Sequence, residues 1–258
     1  MKITLITSDQ SRHNYLVNSL HKICEKLFVI QEKKAGGKSS VTSHQVLTKD
    51  KDIYFKNVNK AEKKIFGNCK IRKKVKILKI NRNINNYKMI EFKDYLKSDL
   101  YIVYGSNFIK GKLLNFLISK KAIGLHMGIS PYFRGTDCNF WAIYDNKTEY
   151  VGATIFMLAK GLDDGRILFH AIPKTNKNPF IYSMSAVKAG FKCLVKNIIN
   201  NNLLMTKPIK QDKKNEIRYS KLSDFTDKVA QEFNRKKINI KPIRVNKKKF
   251  INLFKFYE

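Results

Sequence analysis

Cysteine is scarce and scattered: Cys24, Cys69, Cys138 and Cys193 form no C-x-x-C pair, and the five histidines do not cluster with them. That spacing argues against a zinc site, so no metal is expected, and in a reducing compartment the four thiols read as small buried hydrophobes. No stretch approaches the ~18 apolar residues of a membrane span. The opening run Ile3-Thr4-Leu5-Ile6-Thr7 is strand-like and has neither the apolar core nor the cleavage site of a signal peptide, so a cytoplasmic location without membrane association is expected. Glycine is missing from the turn Ser8-Asp9-Gln10-Ser11. A G-x-G-x-x-G cradle is therefore absent, which disfavours a dinucleotide-dependent dehydrogenase.

Acidic residues are also few, 20 against 52 Lys and Arg, for a formal net charge of +32. The excess is mostly Lys, runs along the whole chain and accompanies abundant Asn and Ile, as an AT-rich coding bias would produce. A polyanionic substrate fits the same charge and would bind in a salt-dependent way. A basic nucleic-acid-binding module would need a contiguous cationic face with interleaved aromatics, and the scattered lysines do not supply one.

What is present is an α/β pattern long enough to bury a single sizeable core. Residues 3–7 read as a buried strand, followed by a helix capped by Ser8 or Asp9 and carrying Leu16, Leu20, Ile23 and Leu27, and then by the strand Leu27–Ile30. This β-α-β opening predicts a mostly parallel sheet with helices on its faces. Residues 31–76 turn polar and lysine-rich, with one helical piece around Asn59–Phe66, and read as a variable insertion. Periodicity resumes at Val75–Leu78. Further strands are expected at Asp99–Val103, a near-continuous apolar run suited to a sheet centre, and at Ala122–His126, Val151–Leu158 and Ile167–Phe169. Helices are expected at Ile109–Ile118, around Trp141 and at Tyr182–Ile199. These elements define a catalytic domain over residues 1–204, with a short basic extension over 205–258.

Ligands of open α/β sheets bind beyond the carboxyl ends of the strands. Three loops fall at such ends: Tyr104–Asn107, His126–Gly135 and Ala159–Gly165. They bring one histidine, the adjacent carboxylates Asp163 and Asp164, and several glycines to one edge, a set suited to acid/base chemistry beside a ligand that approaches backbone.

The motif Gly124-Leu125-His126-Met127-Gly128-Ile129-Ser130-Pro131-Tyr132-Phe133-Arg134-Gly135 is followed by Asn139–Ile143, Gly152-Ala153-Thr154-Ile155 and Gly161-Leu162-Asp163-Asp164-Gly165. This ordered set closely resembles the formyltransferase family, which includes methionyl-tRNA, glycinamide ribonucleotide and sugar N-formyltransferases. The resemblance is strong from about Leu100 to Ile172. It implies a Rossmann-like domain, 10-formyltetrahydrofolate as one-carbon donor, and transfer to a primary amine on a small molecule, the nucleotide-linked amines among them. A tRNA acceptor is disfavoured, because the segment beyond Leu204 is too short for a further barrel domain.

By the same resemblance His126 and Asp163 are the catalytic pair. Backbone around Val103, Tyr104, Gly105 and Ser106 and around Lys160, Gly161 and Leu162 holds the folate. Asp164 reads as a solvated loop carboxylate, and Trp141 as core. Arg134 either grips an anionic part of the acceptor or braces its loop. Gly124 departs from the family, which carries Asn there as a donor to the reaction's oxyanion. Asn107, Asn139 or an ordered water in the vacated space would have to substitute, and replacing Gly124 by Asn is expected to preserve or raise turnover. The alternative is a homologue that binds folate or a nucleotide but is catalytically impaired.

Overall fold

The computed structural model describes residues 1–33, 48–72, 75–240 and 249–256. In chain order the elements are β1 (Lys2–Ser8), α1 (Ser11–His21), β2 (Lys26–Glu32), α2 (Lys49–Phe66), β3 (Lys76–Ile80), α3 (Met89–Phe92), β4 (Leu100–Val103) and α4 (Gly111–Ser119). There follow β5 (Ile123–His126), β6 (Phe133–Gly135), α5 (Cys138–Tyr144), β7 (Ala153–Met157), β8 (Ile167–Pro173) and α6 (Pro179–Ile199). The chain closes with α7 (Asn202–Met205), β9 (Arg218–Ser220), α8 (Asp227–Arg235) and β10 (Phe254–Phe256). Among the described residues, no helix is long and apolar enough to cross a membrane, and no group of His, Cys, Asp and Glu could hold a metal ion.

Eight strands form one sheet in the order β10-β8-β7-β5-β4-β1-β2-β3. The fold is therefore the expected α/β, Rossmann-like one. All pairings are parallel except those of β7, which runs against both β5 and β8. β1 and β4 are buried nearly throughout because both faces of a parallel sheet are covered: Ile3, Leu5, Ile6 and Ile102 are fully buried. One face packs on α1, α2 and α6 through Leu16, Leu20, Phe66, Phe191 and Leu194. The other packs on α3 and α4 through Phe92, Leu113 and Leu117. A third cluster, with Tyr54, Phe140, Trp141 and Phe233, joins α2, α5 and α8.

Three segments differ from expectation. The N-cap of α1 is Gln10, without a side-chain cap bond. Ser8 belongs to β1 instead, and its hydroxyl donates to the Gly105 carbonyl. The helix expected around Asn59–Phe66 begins at Lys49, is capped by Thr48, carries Asp50 and Asp52 in its first turn and ends at Gly67 with φ 66°. Its buried Tyr54, Phe55, Ala61 and Phe66 make it part of the core, while residues 34–47 and 73–74 of the expected insertion lie outside the described residues. The basic segment beyond Leu204 folds back on the domain: β9 pairs with β6, α8 packs on α2 through Phe233 and Tyr54, and β10 joins the sheet edge beside β8.

Candidate active site

Because β1, β4 and β5 are parallel neighbours, their carboxyl ends share one edge of the sheet. His126 is the last residue of β5 and is 8% exposed. Its Nδ1 lies 3.3 Å from Oδ2 of Asp163, and its Nε2 faces the Phe133 carbonyl at 3.4 Å. Each ring nitrogen thus meets an oxygen, which fixes the plane of the imidazole. Gly128 makes room for the ring: a Cβ there would stand 2.8 Å from Nε2 and 2.5 Å from Cβ of Cys138.

Asp163 reaches this position from the turn between β7 and β8, in the left-handed region at φ 48° that Asp tolerates better than most residues. Gly165 closes the turn, and a Cβ there would collide with the Met157 carbonyl at 1.7 Å. The backbone of this turn is tied on several sides. Leu162 O accepts from Nη2 of Arg134 at 2.9 Å, while Asp163 O and Gly165 O both accept from Nε2 of Gln211 at 2.7 Å. Asp164 is paired with Lys213 at 3.1 Å instead of being simply solvated.

Arg134, 7% exposed, donates through Nη1 to Glu216 at 2.9 Å as well as to Leu162 O. Of its two expected roles the structure displays the brace: the guanidinium joins the loop after His126 to the Asp163 turn and to the chain beyond Leu204. Trp141 is 1% exposed and lies in the core, with the Arg218 guanidinium 3.7 Å above its ring.

Next to Asp163 runs a cleft of about 130 Å³. Val103, Gly105, Ser106, Gly161, Leu162 and Asp163 line it, together with Asn107, Phe108, Leu125, Phe156 and Leu158. Two of the residues assigned to folate stand apart from its lining. Tyr104 turns into the core, stacked on His13 at 4.7 Å and edge-on to Phe191 at 5.0 Å, and burial pushes its hydroxyl up to about 12 against the opposing Arg12 charge. Lys160 is the other. The cleft loop is anchored from below: the buried Glu32 carboxylate accepts from the Asn107 amide N–H at 2.7 Å and from its Nδ2 at 2.8 Å.

That anchoring answers part of the Gly124 question. The Asn107 carboxamide is held by Glu32, and Asn139 spends its Oδ1 on the Gly152 N–H at 2.9 Å while its Nδ2 is buried without a hydrogen-bond partner. The space beside Gly124 is taken up by a side chain. Phe156, the cross-strand partner of Gly124, lays its ring over it, and a Cβ on Gly124 would stand 2.3 Å from Cζ. An Asn at position 124 would therefore meet the Phe156 ring, which bears against the expectation that this replacement preserves or raises turnover. Phe156 was hidden in the sequence because it reads as one more apolar residue of a strand. Gln211 was hidden because its partners are backbone carbonyls, which leave no motif.

A His-Asp pair at the carboxyl edge of an α/β sheet, beside a cleft, is suited to acid/base chemistry on a bound ligand. The chain belongs to the formyl transferase family, whose profile matches residues 21–178. No match is found among curated proteins. Among solved structures it is similar to a sugar N-formyltransferase from Shewanella (18% identity, 87% of this chain and 78% of the other, TM-score 0.55). It is also similar to a 4-N formyltransferase from Francisella tularensis (20%, 87% and 77%, 0.54). A third is phosphoribosylglycinamide formyltransferase from Anaplasma phagocytophilum (15%, 77% and 85%, 0.53). At these identities the likeness is one of fold.

Proposed function

We propose that the protein transfers a formyl group from 10-formyltetrahydrofolate to a primary amine on a small molecule. The observation that carries this reading is the contact of His126 with Asp163 at the rim of the cleft, in a chain of the formyl transferase family. The cleft fits a flat heteroaromatic donor. Leu125, Phe156 and Leu158 offer apolar walls, and the loops 105–107 and 161–163 offer backbone edges for ring donors and acceptors. The folate supplies a formyl group on a nitrogen that can leave.

The residues then divide the work. Attack by the amine places negative charge on the formyl oxygen and positive charge on the attacking nitrogen. Asp163, which lines the cleft, holds the imidazole through Nδ1 and is placed to accept the amine proton. His126 stabilises the oxyanion and passes a proton to the departing folate nitrogen. Asp163 is neutralised by the amine proton and ionised again as it returns that proton to the imidazole through Nδ1, so the pair ends in the state in which it began. The amine acceptors named for the similar structures, amino sugars and glycinamide ribonucleotide, are the classes to try first, and the charge of +32 favours an anionic one.

The test is release of tetrahydrofolate from 10-formyltetrahydrofolate in the presence of a panel of amino-sugar nucleotides, glycinamide ribonucleotide and aminoacyl-tRNA. Turnover with one class, abolished by His126→Ala, is the expected result. Folate binding without turnover on any acceptor would leave the impaired-homologue reading in its place.

A further inference from the structure

The turn that presents Asp163 is held from outside the family's matched region. Ile209 pairs with Ile167 through reciprocal backbone bonds of 2.7 and 2.8 Å, which sets the following residues against the turn. From there Gln211, 7% exposed, spends its Nε2 on two buried carbonyls, those of Asp163 and Gly165. Lys213 pairs with Asp164, and Glu216 holds the guanidinium of Arg134, which bonds Leu162 O. Every residue from 162 to 165 is thus tied either to the strap 209–216 or to a side chain that the strap holds.

We propose that Gln211 is a positioning residue for the reaction: it holds the Asp163 backbone in its left-handed conformation so that the carboxylate meets Nδ1 of His126. The proposal rests on the formyl-transfer reading for its catalytic meaning, but its geometry stands apart from it. Asp163 at φ 48° lies in a region that costs more than ordinary helical or extended backbone even for Asp, so bonds to its own carbonyl favour keeping it there. The carbonyls of Asp163 itself and of Gly165 converge on one amide nitrogen, and only a side chain carrying two N–H groups at that point satisfies both. Loss of these bonds frees the turn to relax toward ordinary φ, and a shift near 1 Å is enough to separate a carboxylate from a nitrogen at 3.3 Å.

The experiment uses Gln211→Met, which keeps the volume and deletes both donors, alongside Asp163→Asn, the double variant and Lys213→Ala. The ring ¹⁵N resonances of His126 are recorded in the protein without ligand, and kcat and KM for the donor are measured in parallel. Gln211→Met is expected to move the Nδ1 resonance in the direction seen for Asp163→Asn and to lower kcat by about 10- to 100-fold, with the donor KM within about twofold. It should lower kcat no further in the Asp163→Asn background, and Lys213→Ala should leave the resonance in place. A His126 resonance unmoved by Gln211→Met, or losses that multiply in the double variant, would overturn the proposal. If Gln211→Met does not fold, Gln211→Asn, which retracts the amide by one methylene, is read the same way. Absence of turnover in the wild-type protein would sink the formyl-transfer reading, while the ring resonances would still decide the role of Gln211.

Discussion

Replacing Gly124 by Asn tests the packing of the site more sharply than any other single change. An Asn Cβ at that position stands 2.3 Å from Cζ and 2.7 Å from both Cε atoms of Phe156, more than an ångström inside ordinary contact. The ring is 5% exposed, and it already lines the cleft beside Asp163. If it stays, over-packing of this kind costs about 1–3 kcal/mol, which for a chain of this length lowers Tm by roughly 2–12 °C. If it swings into the cleft, part of that cost is relieved and donor binding weakens instead. The variant is therefore expected to lose stability, donor affinity or both, and to be slower than the wild type.

Removing the ring reverses the sign. Phe156→Ala alone costs about 3–5 kcal/mol, and Gly124→Asn placed in that background should be neutral or stabilising, a coupling of at least ~1 kcal/mol. Only in the double variant can the new carboxamide face the reacting carbonyl, where such a donor contributes up to about 10²–10³ in rate. Urea denaturation of the four proteins and the tetrahydrofolate-release assay give both cycles. A Gly124→Asn protein as stable as the wild type and faster would refute the reasoning, because it would mean that Phe156 does not fill this space in solution.

His170 predicts a pH dependence of stability. It is fully buried, accepts from the Ile251 N–H at 3.0 Å and donates to Ser130 O at 2.9 Å, and burial drives its pKa from 6.5 down to about 4 despite the Ser130 bond. Between those values the unfolded chain takes up a proton that the folded one refuses, so stability falls as pH drops from 6.5 to 4, by about 3 kcal/mol in all. His170→Gln should flatten that part of the urea-derived stability profile, and an unchanged slope would remove His170 as its source. Arg12→Met should cost about 3–5 kcal/mol, since it strands the Glu62 carboxylate that the guanidinium meets at 2.6 Å. The paired variant Arg12→Met/Glu62→Gln should recover most of that loss in thermal melts, and no recovery would mean that the cost lies elsewhere. Arg134→Met should lower kcat and Tm while leaving acceptor KM nearly unchanged, as a brace would; a tenfold rise in acceptor KM at unchanged Tm would make it a grip.

The sheet was legible in the sequence because its central strands are buried on both faces, and continuous apolar runs such as Leu100–Val103 have few other readings. Helix α2 was only half legible. Its inward positions Tyr54, Val58, Ala61 and Ile65 keep helical spacing, but lysines dilute the signal on every other side. The pairing of His126 with Asp163 was readable only through the resemblance of the motifs around them to the formyltransferase family; in the structure the glycines of those motifs stand where backbone or ring comes close, as at Gly128 and Gly165. What supports the pair was not readable. A ring that fills the room left by a glycine, or an amide that serves two carbonyls, depends on a neighbour that lies far along the chain, and neither changes the local pattern around itself.

The strap 209–216 gives the order of synthesis a bearing on when the site can form. The ribosome delivers the cleft loops and His126 long before Ile209, and β10, which closes the sheet edge beside β8, comes later still. A nascent chain that has already emitted the whole matched family segment therefore still lacks the ties that hold Asp163. The site is finished from its far end, by contacts of long sequence separation that form late and slowly.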